Sequence, residues 1–208
     1  GKQYLLVTSA QNATPIHEAC FKSMKAYAKF LDGDIHVIPF RYKNPTSTFS
    51  GLREDWWAPT LRPYLDLARH KVSRNLEILS DIKTQPTAAY PLRGLEGVTG
   101  GASCIIGHPK MHLQSVPVLE GQHKKILYST GAITYQNYTD SLAGKKGEFH
   151  HTFGFAIIEI DDEDFHVRHV PMCDDGSFID LVFSVSGDTV EVIDECTAIT
   201  LGDIHVGD

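Results

Sequence analysis

Gln3-Tyr4-Leu5-Leu6-Val7-Thr8-Ser9-Ala10, Thr14-Pro15 and Gly33-Asp34-Ile35-His36-Val37-Ile38-Pro39-Phe40 read together as one strand, helix, strand unit. The first stretch is apolar and β-prone. Thr14 supplies a capping hydroxyl and Pro15 the fixed φ of a first helical residue. Ile16, Ala19, Cys20, Met24, Tyr27, Phe30 and Leu31 then recur at helical spacing, which predicts a helix to about Leu31. Gly33 reads as its cap, with Asp34 turning into a second strand over 35–40. Such a crossover favours parallel strands. It also sets Ser9, Gln11 and Asn12 at the mouth of the first strand beside a helix N-terminus, where Gln11 and Asn12 are candidate contacts for an anionic substrate. The plainer reading of the same side chains is as partners for a loop and a helix cap.

Outward from this unit, residues 42–63 are irregular, and the pair Trp56-Trp57 is placed to anchor that loop against the core or an oligomeric partner. Residues 62–75 read as a helix carrying Arg62, Arg69, His70, Lys71 and Arg74 as a local basic patch, and 76–79 as a short strand. Beyond Gly101 the character is β-rich, with strands expected at 103–106, 111–118, 125–130, 154–160, 165–171, 178–185 and 189–192. Asp161-Asp162-Glu163-Asp164 and Ser186-Gly187-Asp188 supply turns between them. The expected fold is α/β in the α+β sense. An N-terminal strand-helix-strand unit sits in a mixed sheet, followed by a largely antiparallel half.

The chain has 208 residues, of which 42% are hydrophobic, enough for a sizeable core. No run of about 18 apolar residues is present, and the N-terminus enters a strand rather than a signal peptide, so a cytoplasmic protein without a membrane partner is expected. A net charge of −7 argues against a domain that coats DNA through a uniformly basic surface. Cys20, Cys104, Cys173 and Cys196 are scattered without metal-type spacing and read as reduced thiols. The chain opens on Gly1 and stops at Asp208, which leads us to expect a piece of a longer protein.

Histidines gather in the second half, at 108, 112, 123, 150, 151, 166 and 169. The stretch Asn137-Tyr138-Thr139-Asp140-Ser141-Leu142-Ala143-Gly144-Lys145-Lys146-Gly147-Glu148-Phe149-His150-His151 reads as a polar, Gly-rich loop suited to phosphate. Lys145 and Lys146 are candidate substrate contacts there, and His150 or His151 is a candidate general acid or base. Adjacent histidines on a strand point apart, so these two are not expected to share an ion.

The chain ends on Ile199-Thr200-Leu201-Gly202-Asp203-Ile204-His205-Val206-Gly207-Asp208. An apolar run leads into Asp-x-His-x-Gly, and alternate residues of a strand project to one side, so Asp203 and His205 are candidate ligands of one metal ion. The pentapeptide Gly-Asp-Ile-His-Val also stands at 33–37, where it follows a helix instead of a strand; Asp34 and His36 are therefore read as structural.

These last ten residues resemble the opening of the calcineurin-like metallophosphoesterase family. The body, through Pro86-Thr87, Ile106-Gly107-His108-Pro109-Lys110, Asn137-Tyr138-Thr139 and Gly147-Glu148-Phe149-His150-His151, resembles the leader region of phage-encoded DNA-degrading members. The resemblance implies a two-ion centre, most often manganese, that activates water against a phosphodiester, with DNA as substrate and the host cytoplasm as its place of action. Only Asp203 and His205 carry over. The family's Gly-Asp-x-x-Asp and Asn-His elements are not found here, so these residues alone are expected to be inactive.

The resulting division is an accessory domain over 1–195 and the first strand and metal motif of a phosphoesterase domain over 196–208, with substrate engagement or homo-oligomerisation as the accessory role. Two other readings stay open: a non-catalytic nucleic-acid-binding or assembly module, and a self-contained hydrolase using His108, His150 or His151.

Overall fold

The computed structural model describes residues 1–195. Along the chain come β1 (Gln3–Gln11), α1 (Glu18–Leu31) and β2 (Asp34–Phe40). A 3-10 turn at Pro59–Tyr64 leads to β3 (Arg69–Ser73), β4 (Leu76–Leu79), β5 (Ser103–Ile106), β6 (His112–Val116) and β7 (Lys125–Ser129). After α2 (Leu142–His150) follow β8 (Gly154–Asp161), β9 (Asp164–Pro171), β10 (Phe178–Asp180), β11 (Phe183–Ser186) and β12 (Thr189–Val192). They build three sheets, ordered β2-β1-β8-β9, β3-β4-β5-β7-β6 and β10-β11-β12. The α+β expectation is met.

β1 is central because both its faces are apolar. Leu6 and Ala10 face α1, packing with Phe21, Met24, Tyr27 and the inward residues Phe155 and Ile157 of β8. Leu5 and Val7 face the five-stranded sheet, against Leu76, Ile78, Ile105 and Tyr128. The first sheet is thus covered on both sides, and each fully buried aliphatic or aromatic side chain contributes about 1.5–3 kcal/mol. β1 pairs with β2 in parallel, Leu5 opposite Asp34, as the crossover requires, and with β8 antiparallel.

The helix begins later than the sequence suggests. Ile16 is held extended by a bridge to Thr134, so His17 rather than Thr14 caps α1, its Nδ1 accepting from the Cys20 amide at 3.3 Å. Thr14 instead donates to the Asn12 carbonyl. Gly33 follows the left-handed cap residue Asp32, and its own requirement is space: a Cβ there would lie 2.9 Å from Tyr4.

Three further expectations are corrected. Residues 62–75 are not a helix. Pro63 interrupts the 3-10 turn, Leu65 bridges Val37 in parallel, and residues 69–73 form β3 in a hairpin with β4, so tertiary pairing overrides helix propensity. The Gly-rich stretch before His151 is not a loop but α2, capped by Ser141, which accepts from the Gly144 amide. Its glycines serve close packing, because a Cβ on Gly144 would lie 1.8 Å from the Thr139 carbonyl oxygen and one on Gly147 2.9 Å from Thr87. Residues 178–185 form two strands, split by Leu181 in the left-handed region with φ 53°. Asp180, just before the break, is gripped by Arg168 at 2.6 and 2.7 Å and by the Tyr27 hydroxyl at 2.7 Å.

The second half pairs largely antiparallel, as expected, in β6–β7, β8–β9 and β10–β11–β12, while β5 lies parallel to both β4 and β7. Among the described residues, no helix is long and apolar enough to cross a membrane.

Candidate functional site

Gln11 and Asn12 stand where expected, at the carboxyl end of β1, and are buried. Gln11 donates through Nε2 to the Asn137 carbonyl at 2.7 Å. Asn12 donates to the Glu54 carbonyl and accepts from the Tyr42 amide, both at 2.7 Å. Asn137 in turn donates to Thr14 and accepts from Asn44. These amides tie the 42–54 loop and residue 137 to the sheet.

His151 belongs to the same buried layer. Its Nε2 donates to the Thr134 carbonyl at 2.9 Å, and its Nδ1 accepts from the Tyr138 hydroxyl at 2.7 Å. His108 repeats the arrangement, with Nε2 donating to the Gln85 carbonyl and Nδ1 accepting from the Lys110 amide, each at 3.0 Å. Burial pushes both imidazoles down to about 4. Each is a neutral ring with both nitrogens committed, which leaves neither a free position for proton transfer.

His150, the last residue of α2, stays half-exposed against the Phe149 ring. Burial first, then the nearby Lys110 charge, hold it below the usual imidazole range. Lys145 and Lys146 are exposed on α2, and Lys145 lies 3.6 Å from Asp140. The chain thus turns His150 and the lysines toward solvent and His151 inward. Asp203 and His205 lie outside the described residues.

The group that converges is elsewhere. His36 on β2, His70 on β3 and Asp66 between them are partly buried, with donor atoms all within 4.8 Å of one another, a set that could hold a metal ion. Its position follows from the backbone. The Asp66 amide donates to the Val37 carbonyl at 2.9 Å, which docks residues 65–66 on the free edge of β2 before the chain crosses to β3 in the other sheet. His36 Nδ1 lies 3.1 Å from one carboxylate oxygen, and His70 Nε2 lies 2.7 Å from the other. The Ser80 hydroxyl and the Ala68 amide, each at 3.1 Å, also donate to this carboxylate. Burial pushes the Asp66 carboxyl up, but the hydrogen bonds from His70, Ala68, His36 and Ser80 together outweigh it and hold the group below the ordinary carboxylate range.

From sequence, His36 reads as structural and His70 as part of a basic patch, and nothing marks Asp66. The patch itself is dispersed, since Arg69 pairs with Asp81 at 3.0 Å and Arg74 lies near Glu163. Asp66 and His70 stand four residues apart beyond a Gly-Asp-Ile-His copy, which was the available signal. Nothing local indicates that β2 and residue 66 are neighbours.

Beside the triad runs a cleft of about 710 Å³, lined by Arg41, Trp57, Leu65, Ser80, Lys83 and Gln85 among others. The Arg41 guanidinium lies 4.6 Å from the Trp57 ring centre, and Trp56 and Trp57 both pack on the core, so the anchoring expected of the pair is observed. With Asp81 neutralised by Arg69, Arg41 and Lys83 leave the cleft a positive bias. Cys20 and Cys104 are buried, and burial raises their thiols to about 12 and about 11, in keeping with inert thiols.

Comparison with known proteins places the chain beside a phage protein. Over 218 aligned residues it is 31% identical to Protein A1 of Escherichia phage T5, an alignment that takes in 99% of this chain and 38% of that protein. The chain therefore spans about two fifths of the length of the curated relative it matches. No family model matches it. No solved structure matches it either.

Proposed function

We propose that this chain is the accessory domain, with the first metal ligands, of a longer phage-encoded phosphodiesterase of the calcineurin-like class that acts on DNA. The observation that carries the reading is the stretch Gly202-Asp203-Ile204-His205 after the apolar run 198–201, the arrangement in which a strand delivers a carboxylate and an imidazole to one ion. The likeness of almost the whole chain to a part of a much longer phage protein supports it, because the remaining ligands need residues that these 208 do not contain. Two ions, manganese by this reading, would activate a water for in-line attack on the phosphodiester.

The described body contributes binding. Arg41 and Lys83, which line the cleft, suit the backbone phosphates of a nucleic-acid strand, where cationic side chains replace counterions. The buried His108 and His151 have both ring nitrogens in hydrogen bonds and take no part in proton transfer.

The test uses the protein in its full reading frame with linear duplex DNA and bis(p-nitrophenyl) phosphate. Cleavage should require Mn²⁺ and fall at least about 100-fold in Asp203→Ala and in His205→Ala, since losing a ligand exceeds the effect of losing an outer partner. Arg41→Glu combined with Lys83→Glu should raise KM for DNA while leaving turnover of the small ester unchanged. Undiminished cleavage by the two ligand variants would sink the assignment.

A further inference from the structure

We infer that His36, Asp66 and His70 form a second divalent-metal site, of zinc type, that staples the crossing between the two larger sheets. This goes beyond the phosphoesterase reading and does not depend on it.

The three ligands come from distinct pieces of backbone. His36 belongs to the four-stranded sheet, His70 to the five-stranded sheet, and Asp66 to the segment that links them. An ion held by all three would close a loop of backbone that is otherwise joined at this point by the Leu65 bridge and the Asp66 amide bond. Two imidazoles and a carboxylate are the donor set that zinc takes in sites that keep a position for water. Manganese favours oxygen-rich shells and stands lower in the affinity series, so this site and the proposed catalytic centre would select different ions.

The donor atoms lie within 4.8 Å of one another, the two imidazoles on opposite oxygens of the carboxylate, and would draw together around an ion. Bonds of about 2.0–2.2 Å arranged tetrahedrally set neighbouring donors about 3.3 Å apart. His36 Nδ1 already stands 3.1 Å from the carboxylate and His70 Nε2 stands 2.7 Å from it. The rings meet edge to face with centroids 5.7 Å apart, so both nitrogens reach the carboxylate without stacking. The exposure of the side chains, 29% for His36, 11% for Asp66 and 38% for His70, leaves room for water to complete the shell. Ser80 and Ala68 orient the carboxylate as outer partners do around bound metals. On binding, each imidazole would move its proton to the other ring nitrogen or release it, and the lone pair now masked by the hydrogen bond to Asp66 would face the ion.

The experiment uses the 208-residue chain, stripped with EDTA and titrated with ZnCl₂ in a chelator-buffered series, with thermal unfolding and visible absorption of the Co²⁺ form as readouts. One equivalent should bind, and saturating zinc should raise Tm by about 5 °C or more. Co²⁺ should give the intense visible bands of a four-coordinate ion. His36→Ala and His70→Ala should each weaken zinc binding at least about 100-fold, and Ser80→Ala about 10-fold. The Tm of these variants in EDTA should stay within about 4 °C of the parent, with an equally cooperative transition, which shows that the fold is intact. Asp203→Ala with His205→Ala should retain the zinc response, which separates this site from the proposed catalytic one. Equal zinc affinity in the parent and the His36 and His70 variants would overturn the proposal, as would a zinc-insensitive Tm.

Discussion

Two pairs of histidines occupy this molecule in opposite ways. His108, just after β5, and His151, just after α2, are buried, each with one nitrogen donating to a carbonyl and the other accepting a hydrogen bond from an amide or a hydroxyl. At the crossing between sheets, His36 and His70 are half-exposed and both turn one nitrogen to the same carboxylate. The first pair fills the hydrogen-bonding needs of a closed interior. The second converges donors on one point with water close by. Histidine density along a sequence cannot distinguish these situations, because the number of committed ring nitrogens is a property of the surroundings.

The largest contrast should appear with acid. An imidazole that titrates near 6.5 when unfolded and near 4 when folded binds fewer protons in the native state between those values. The stability it supports is therefore complete above about 6.5 and is lost as pH falls toward 4. His108 and His151 should each cost on the order of 3 kcal/mol across that window. His169, whose imidazole burial also lowers, adds with the same sign. Urea unfolding at pH 7.5 and pH 4 measures the loss. The double variant His36→Ala with His70→Ala should keep most of this slope, and a slope that vanished with the crossing histidines would reverse the assignment of roles.

Next in size is Gly144→Ala. Its Cβ would meet the Thr139 carbonyl oxygen at 1.8 Å, and backbone cannot swing aside as a flexible side chain does. A loss of about 3 kcal/mol is expected from such overpacking, read by chemical denaturation, with α2 and the Tyr138 to His151 bond disturbed together. An effect below about 0.5 kcal/mol would mean that the helix does not approach residue 139 closely.

The smallest effect belongs to the crossing without metal. His70→Ala in EDTA removes one hydrogen bond from a partly exposed pair, and a change of about 1 kcal/mol or less is expected, because water can replace the lost donor. A much larger loss would make the crossing as closed an interior as that around His108 and His151.

Much of this fold could be read along the chain. The β1, α1, β2 unit follows from apolar spacing and a Gly33 stop, and most strands beyond Gly101 are bracketed by turn residues such as Asp161-Asp162 and Gly187. Residues 62–75 could not be read in this way. Their charged residues are compatible with a helix, and the bridge from Leu65 to Val37 that makes them extended joins positions 28 apart. Gly144 and Gly147 misled in another manner, since a glycine needed for close packing and a glycine needed for a loop are the same letter.

The candidate residues divide along the same line. Burial and hydrogen bonding at Gln11 and Asn12 were foreseeable as the ordinary fate of polar residues at a strand end. Lys145 and Lys146, read as substrate contacts, are exposed and His150, read as an acid or base, is half-exposed, whereas His151 could be separated from its neighbour only once Tyr138 and Thr134 were seen on either side of it.

What the sequence by itself determined is local. Strand and helix periodicity, turn positions, an apolar β1 suited to a two-sided core and the Asp203, His205 pattern all depend on residues within one or two turns of each other. What tertiary structure decided is which distant residues share a volume. It joined His36 to Asp66 and His70, set β4, β5 and β7 side by side in parallel, and closed both nitrogens of His151. A side chain's chemistry depends on the partners within about 3 Å of its polar atoms. Here those partners arrive through long-range sheet pairing, which no local pattern encodes.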